Sequence, residues 1–407
     1  MLRHLPPTAT PISLRTVSGA LRPKPDAVER FERQFSAYQG VNTSYTAASG
    51  RTALHLLLTA LTRSMDDRRR EVIMPAYTCP SLAKVTLAIG LQPRLVDMNI
   101  ASFGFDKAAL EVALGPQTLA VMHVHPFGIP VEVASILPLV EQHGAVLIED
   151  AAQSMGARLH GRPVGSLGHF GLYSLGPGKP ISAGGGGIVT INQEDAFAAI
   201  NHNWEELPTS AAPSSALAVL RLAAFSAAFH PLGWWLATRA GAHKVGNHEA
   251  AQGYAMAPLS AAQATVAASQ IIRLDGINQA RRRRAAKLLA YLSRHQELTF
   301  PGIDLTSGDA IWQPLAAEAE PIFLRLPLLA SNTAQRDRLF DALWSAGIGV
   351  GKMYQKPLTA AFPQLASYSC PNAEQIADRL LTLPTHHYLT DADMQRIRDV
   401  VDQILPD

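Results

Sequence analysis

Between Phe31 and Ile191 two kinds of apolar run alternate along the chain. "RTALHLLLTALTR" spreads its apolar residues as a well-buried helix does, and "EVIMPAYT" follows as a strand ending in a loop. "SLAKVTLAIGL" reads as helix, "QPRLVDM" as strand, and "LAVMHVHPFG" as strand and loop. "VASILPLVEQHG" is a helix closed by a C-terminal glycine, and "AVLIEDAAQ" is a buried strand with carboxylates at its end. This alternation predicts a parallel sheet covered by helices on both faces. Ligands of such sheets bind at the carboxyl ends of the strands, where the loops gather.

Residues 204–250 break the rhythm. "SSALAVLRLAAFSAAFHPLGWWLATRAGAHKVG" carries only Arg221 as a charge between Ser214 and Thr238, with the pair Trp234–Trp235. Pro231 and Gly233 interrupt it, which argues against an unbroken membrane span. "SAAQATVAASQIIRLDGINQARRRRAAKLLAYL" then reads as one long helix with a basic run, Arg281 to Arg284. From about Phe300 a smaller α/β unit is expected, with "PIFLRLPLL" a strand, "TAQRDRLFDALWSAG" a helix and a helical tail. The division predicted is a large domain over 1–255, which includes the apolar insertion, and a small C-terminal domain over 256–407.

Composition narrows the function classes. Apolar residues make up 47% of the 407 and charged ones 17%, enough for a large core under a lean surface. The net charge of +2 gives no broad electrostatic footprint for nucleic acid, and Arg281 to Arg284 lack aromatic company and read as a solvated helix face. Cys79 and Cys370 are too few for a disulfide framework or a zinc site, which suits a reduced, cytoplasmic setting. "MLRHLPPTATPISL" lacks the apolar core of a signal peptide.

Three stretches carry candidate chemistry. In "YTAASGRTALHLLL" a strand leads through Ser49, Gly50 and Arg51 into a helix, whose first N–H groups favour an anion such as a phosphate, although Ser-Gly here is also an ordinary N-cap. In "LIEDAAQSMGA" Asp150 ends an apolar strand, where a carboxylate needs a cationic partner, and Gln153 follows three residues on; the alternative is an aspartate that caps the next helix. In "FGLYSLGPGKPISAGGGGIVT" Ser174 ends a strand, and Lys179 follows in a glycine-rich loop that a planar ligand can approach. A partly desolvated lysine has a depressed pKa and becomes a usable nucleophile. Together the three describe a pyridoxal phosphate site: the lysine forms the Schiff base, the aspartate keeps the pyridine nitrogen protonated, and helix-start groups hold the phosphate.

The order "SGRTALHLLL … VIMPAYTCPS … LVDM … VHPFGIPVEV … LIEDAAQSMGA … GRPVGSLGHFGLYSLGPGKPISAGGGGIVT … CPNAEQIADRLLTLPTHHYLT" resembles the DegT/DnrJ/EryC1/StrS family of fold-type I, pyridoxal-phosphate-dependent aminotransferases. The match runs from about Phe31 to the C-terminus outside 204–250. The resemblance implies that Lys179 bonds the cofactor and shuttles the proton, that Asp150 pairs with the pyridine nitrogen, and that Gln153 approaches the ring hydroxyl. It further implies that Ser174, Gly50 and Arg51, beside Ser49, hold the phosphate. Lysine at 179 argues against the family's sugar dehydratases, which carry histidine there. It also implies a homodimer, an amino donor such as glutamate or glutamine, and a nucleotide-linked keto sugar as acceptor, in polysaccharide or secondary-metabolite biosynthesis.

The chain departs from the family at three places. Arg51 replaces a threonine and adds a cation at the phosphate. Cys79 stands where an aromatic residue usually stacks on the cofactor ring, and Tyr77, nearby, is expected to point elsewhere. The family's Asn-Tyr-Arg motif is Gly253-Tyr254-Ala255 here. These changes leave open an acceptor that is a non-sugar ketone or aldehyde, and a non-catalytic binding or regulatory protein on the same fold. His123 and His125 read as strand-end histidines near the pocket rather than a metal pair, since no carboxylate or cysteine cluster accompanies them in sequence. The 214–240 stretch suits either a subunit contact or a peripheral membrane contact.

Overall fold

The computed structural model describes residues 3–192, 204, 206–207, 215–241, 253–305 and 313–405. Seven strands form the central sheet: β1 (Thr43–Ala47), β2 (Glu71–Pro75), β3 (Gln92–Val96), β4 (Thr118–Val124), β5 (Val146–Asp150), β6 (Phe170–Ser174) and β7 (Gly187–Ile191). Their order is β1-β7-β6-β5-β4-β2-β3. Neighbours pair in parallel throughout the β6 to β3 half, while β7 runs antiparallel to both β1 and β6. The six other strands therefore share one direction, and their carboxyl ends lie along one edge. β2, β4, β5 and β6 are buried over nearly their whole length, as a sheet covered on both faces requires.

Why the flanking elements are helices is visible in the one that opens the site. Ser49 caps helix Gly50–Ser64, its Oγ accepting the Thr52 N–H at 3.1 Å. Leu54, Leu57, Leu58 and Leu61 then fall on one buried face, each contributing roughly 1.5–3 kcal/mol by burial. Two apolar clusters fill the two sides of the sheet, and a third holds the C-terminal region together.

The long helix expected after residue 260 is two helices, Ala261–Ile271 and Leu274–Leu292. A capping box of Ser260 and Gln263 starts the first, which packs on helix Ala27–Gln39 beside the large sheet. The second carries Leu288, Leu289 and Leu292 into the C-terminal cluster, so the break serves two different cores. That cluster is built around the antiparallel pair β8 (Arg325–Leu329) and β9 (Leu380–Pro384), with helices Thr333–Ser345 and Asp391–Ile404.

Within the insertion, helices Ser215–Ala228 and Pro231–Arg239 meet at 82° across the break before Pro231. No single helix among the described residues is long and apolar enough to cross a membrane. The remainder of 204–250, apart from Trp204, Glu206, Leu207 and 215–241, lies outside the described residues.

Candidate active site

The shared strand direction brings the loops after β1, β2, β4, β5 and β6 to one cavity of about 360 Å³. Ser49, Gly50 and Arg51 line it from the turn after β1, and Tyr77 and Cys79 from the loop after β2. Asp150 and Gln153 follow β5, and Ser174 and Lys179 end and follow β6. The eight site residues singled out in the sequence thus border one space, and Tyr77 borders it with them.

Asp150 is the last residue of β5, opposite Val124 of β4 and Leu172 of β6. It is 7% exposed, and its Oδ1 accepts the Ala152 N–H at 3.0 Å. Burial pushes its pKa up, and the charge of Lys179 opposes that rise. Lys179 lines the same cavity from the glycine-rich loop. Burial pulls the lysine's pKa below its ordinary value, with Cys79 and Asp150 working against that fall and Arg325 adding to it. The result is an amine that sheds its proton more readily than a surface lysine, beside a carboxylate that no arginine neutralises among the described residues.

The loop that carries Lys179 is held at several points. Lys179 N–H donates to Gly176 O at 3.3 Å, Ala183 N–H to Leu175 O at 2.9 Å, and Thr10 Oγ1 to the Lys179 carbonyl at 2.7 Å. Arg281 reaches the next carbonyl, that of Pro180, with both terminal nitrogens at 3.4 Å. The expectation of a solvated face fails for this residue: Arg281 is 1% exposed and also donates to Asn278 Oδ1 at 3.0 Å. A helical basic run has an inner face as well as an outer one, and the sequence alone does not say which arginine turns inward.

Glycine at 187 is required by close approach. A Cβ there would stand 2.4 Å from Ser49 O and 2.5 Å from Gly50 N, so the first residue of β7 lies directly against the helix start. Gly50 in turn sits beside Ser174, whose Oγ accepts the Gly176 N–H at 3.2 Å. The small-residue helix start, the Ser174 hydroxyl and the Arg51 guanidinium form a cup suited to a phosphate. Ser49 itself is committed through its hydroxyl to the cap, which is the plainer of its two sequence readings. Tyr254, of the altered tripeptide, supports the cup: its ring lies 5.6 Å from the Arg51 guanidinium, and its hydroxyl meets His55 Nδ1 at 2.8 Å.

Tyr77 does not point away. It is 4% exposed on the cavity wall, and its hydroxyl donates to Met353 O at 2.5 Å. The chain bends at 76–78 instead of continuing extended, and Tyr77, Thr78 and Cys79 all border the cavity. The C-terminal unit supplies four residues that sequence reasoning missed: Leu324, Arg325, Met353 and Tyr354. Tyr354 adopts φ +42° and meets the Gln153 amide at 3.0 Å, while Gln153 Oε1 accepts the Phe127 N–H at 3.2 Å. Nothing in the local sequence marked these positions, because they reach the site only through the packing of the two units.

On the cavity wall, His125 has a carboxylate neighbour that sequence spacing did not reveal. Its Nδ1 accepts the Val131 N–H at 3.0 Å, so Nε2 carries the proton and donates to Glu149 at 2.9 Å. Glu149 also receives the amides of Gly165, Leu167 and Gly168. Burial alone would raise its pKa, but His125 and these amides hold it below the ordinary value. His123, its ring 5.2 Å from that of His125, is kept neutral by burial, with a pKa pulled down to about 4.

The fit to pyridoxal phosphate rests on this chain's own chemistry: a buried carboxylate, a desolvated lysine, a glycine-rich loop, and a helix start with a hydroxyl and a guanidinium beside it. When bound, that cofactor supplies a carbonyl carbon for amines and a ring that accepts an electron pair.

Comparison with known proteins gives the same answer. Residues 16–402 match the model of the DegT/DnrJ/EryC1/StrS aminotransferase family. GDP-perosamine synthase of Caulobacter vibrioides is 28% identical over 380 residues, covering 93% of this chain and 90% of that protein. UDP-N-acetyl-3-dehydro-alpha-D-glucosamine 3-aminotransferase of Acidithiobacillus ferrooxidans is 28% identical over 376 residues, covering 92% and 87%. Among solved structures, Helicobacter pylori PseC, an aminotransferase of pseudoaminic acid biosynthesis, superposes with a TM-score of 0.77 at 17% identity over 99% of both chains. The chain belongs to the DegT/DnrJ/EryC1/StrS aminotransferase family and is a pyridoxal-phosphate-dependent enzyme.

Proposed function

We propose that this enzyme moves an amino group from glutamate or glutamine to the carbonyl of a nucleotide-linked keto sugar. The observation that carries the reading is that Lys179 and Asp150 line one cavity, close enough for each charge to act on the other, together with Gly50, Arg51 and Ser174. Two relatives matched over most of their length are named for nucleotide sugars, which supports that class of acceptor.

In this reading Lys179 bonds the cofactor and moves the proton at the substrate's α-carbon. Asp150 faces the ring nitrogen, and Gln153 faces the ring hydroxyl side, itself fixed by Phe127 and Tyr354. Gly50, Arg51 and Ser174 take the phosphate, with Ser49 shaping the turn. Cys79 and Tyr77 border the ring. The enzyme works in the cytoplasm as a homodimer, and a second copy covers the apolar side chains of 217–240. Leu217, Leu220, Phe225, Leu232 and Leu236 are exposed on the two helices of this segment, and apolar side chains gathered at a surface mark an interaction site.

The test is incubation of the cofactor-loaded enzyme with glutamate or glutamine and GDP- or UDP-linked keto sugars, followed by mass spectrometry. An amino sugar nucleotide from one of them is the expected result. Transfer only to a keto compound without a nucleotide would replace the acceptor in this reading.

A further inference from the structure

A second cleft, of about 490 Å³, lies along helix Leu274–Leu292 and shares no lining residue with the catalytic cavity. Arg273, Ile277, Arg281 and Arg284 line it at helical spacings of four, four and three, so three guanidinium side chains meet it from one side of the helix. Ala9, Pro11 and His387 also line it, and no carboxylate does among the described residues. The acids nearby are engaged elsewhere: Asp275 accepts the Tyr38 hydroxyl at 2.7 Å, and Asp391, which acts on Arg284, is bound by Lys287 at 2.7 Å.

Arg281 is the group left in want of a counter-charge. It is 1% exposed, and its terminal nitrogens reach only neutral oxygens, Pro180 O at 3.4 Å and Asn278 Oδ1 at 3.0 Å. Its Nε has no hydrogen-bond partner. Burial and the like charge of Arg284 pull its pKa down to about 10. A guanidinium taken out of water without an anion is costly.

We propose that this cleft binds the phosphate group of a small molecule, and that filling it tightens the loop that carries Lys179. An anion seated at Arg273 and Arg284 supplies the counter-charge that Arg281 lacks, and forked guanidinium groups match phosphate oxygens. The apolar Ala9, Pro11 and Ile277 suit the carbon part of a phosphate ester. Two links run from the cleft to the catalytic loop. Arg281 holds the carbonyl of Pro180, the residue after Lys179. Thr10, between Ala9 and Pro11 of the cleft wall, donates its hydroxyl to the Lys179 carbonyl at 2.7 Å. The site goes beyond the amino-transfer reading and holds whichever carbonyl the enzyme aminates.

The test uses the cofactor-loaded enzyme, so that the phosphate cup at Gly50, Arg51 and Ser174 is already filled. Calorimetry at low ionic strength follows the binding of pyrophosphate. The double variant Arg273→Gln, Arg284→Gln is expected to weaken it about 10- to 100-fold, the range for lost charge-assisted hydrogen bonds. Arg282→Gln with Arg283→Gln removes the same charge from residues that do not line the cleft, and should bind as the wild type does. Hydrogen exchange is then read on the peptide over 176–183. At about ten times its dissociation constant, pyrophosphate should slow that exchange up to about 10-fold in wild type, as linkage gives for a segment whose opening releases the ligand. The Arg273, Arg284 variant at the same concentration should show no slowing.

Wild type that binds no pyrophosphate, or binds it no better than the Arg273, Arg284 variant, would overturn the site. Equal weakening in the Arg282, Arg283 variant would do the same, because it marks diffuse attraction by a basic surface. Binding that depends on Arg273 and Arg284 while exchange over 176–183 is the same with and without pyrophosphate would overturn the link to the Lys179 loop. If the double variant does not fold, Arg273→Gln alone, at an exposed position, decides by the same criteria.

Discussion

Asp150 and Lys179 divide one electrostatic task. Each is desolvated, and each carries the charge that makes the other's burial tolerable. Lys179 should therefore label with an amine-reactive reagent in the cofactor-free protein at a pH midpoint below the ordinary lysine value of 10.5. Asp150→Asn removes the anion that favours the charged amine, so the midpoint should fall further, as peptide mapping against pH would show. An unchanged or higher midpoint would mean that the two charges do not meet. Glu149 has a structural role with a predictable sign. Its folded pKa is depressed, so the stability it lends is complete above the ordinary value of 4.5 and is lost as the pH falls through the lower folded value. Glu149→Gln should cost about 3–5 kcal/mol at neutral pH, because it leaves His125 and three amides short of an acceptor. The gap between wild type and variant should close below pH 4.5 in denaturant melts.

At the scale of elements, strand ends and caps were legible because each is a local event. An apolar run that stops at Asp150, a serine before a leucine stripe, and a glycine-rich loop after Ser174 all show in a window of ten residues. Arg281 and Arg325 were not legible, because arginine is ordinarily exposed; Arg281 reaches Pro180, 101 residues away, and Arg325 reaches Met353, 28 residues away. The error over Arg281 is instructive: its helix is basic on the outside at Arg283, yet turns Arg281 onto the Pro180 carbonyl beside Lys179. Arg281→Ala should destabilise the protein by about 2–4 kcal/mol through lost packing and unsatisfied carbonyls, and should weaken cofactor retention as the lysine loop loosens. Thermal melts and dialysis of the loaded enzyme would report the two effects; retention at the wild-type level would show that the loop is held by Thr10 and the turn alone.

The whole molecule joins a sheet whose strand direction was readable from its alternation to a C-terminal unit whose contribution to the site was not. Helix and strand periods identify a parallel sheet, and that sheet's carboxyl edge locates the cavity before any side chain is placed. Periodicity carries no information about which distant loop closes over that edge, so Met353, Tyr354 and Arg325 emerged only from the assembled fold. The surface of 215–241 raises the other question at this scale. It contains no acidic residue and exposes five large apolar side chains. The double change Leu220→Glu and Leu236→Glu should shift the mass measured by light scattering from dimer to monomer. Retained dimer mass, with loss of sedimentation alongside anionic vesicles, would instead assign that face to lipid.

The central claim is that Lys179 and Asp150 form the working centre of an aminotransferase. Absorption spectra of the cofactor-loaded protein, taken before and after glutamate and repeated with Lys179→Ala, test it most directly. The account predicts a visible band in the wild type that glutamate bleaches, and a variant that keeps its fold but shows no such conversion. A wild-type band that neither glutamate nor glutamine shifts, or a Lys179→Ala protein that converts as the wild type does, would contradict it.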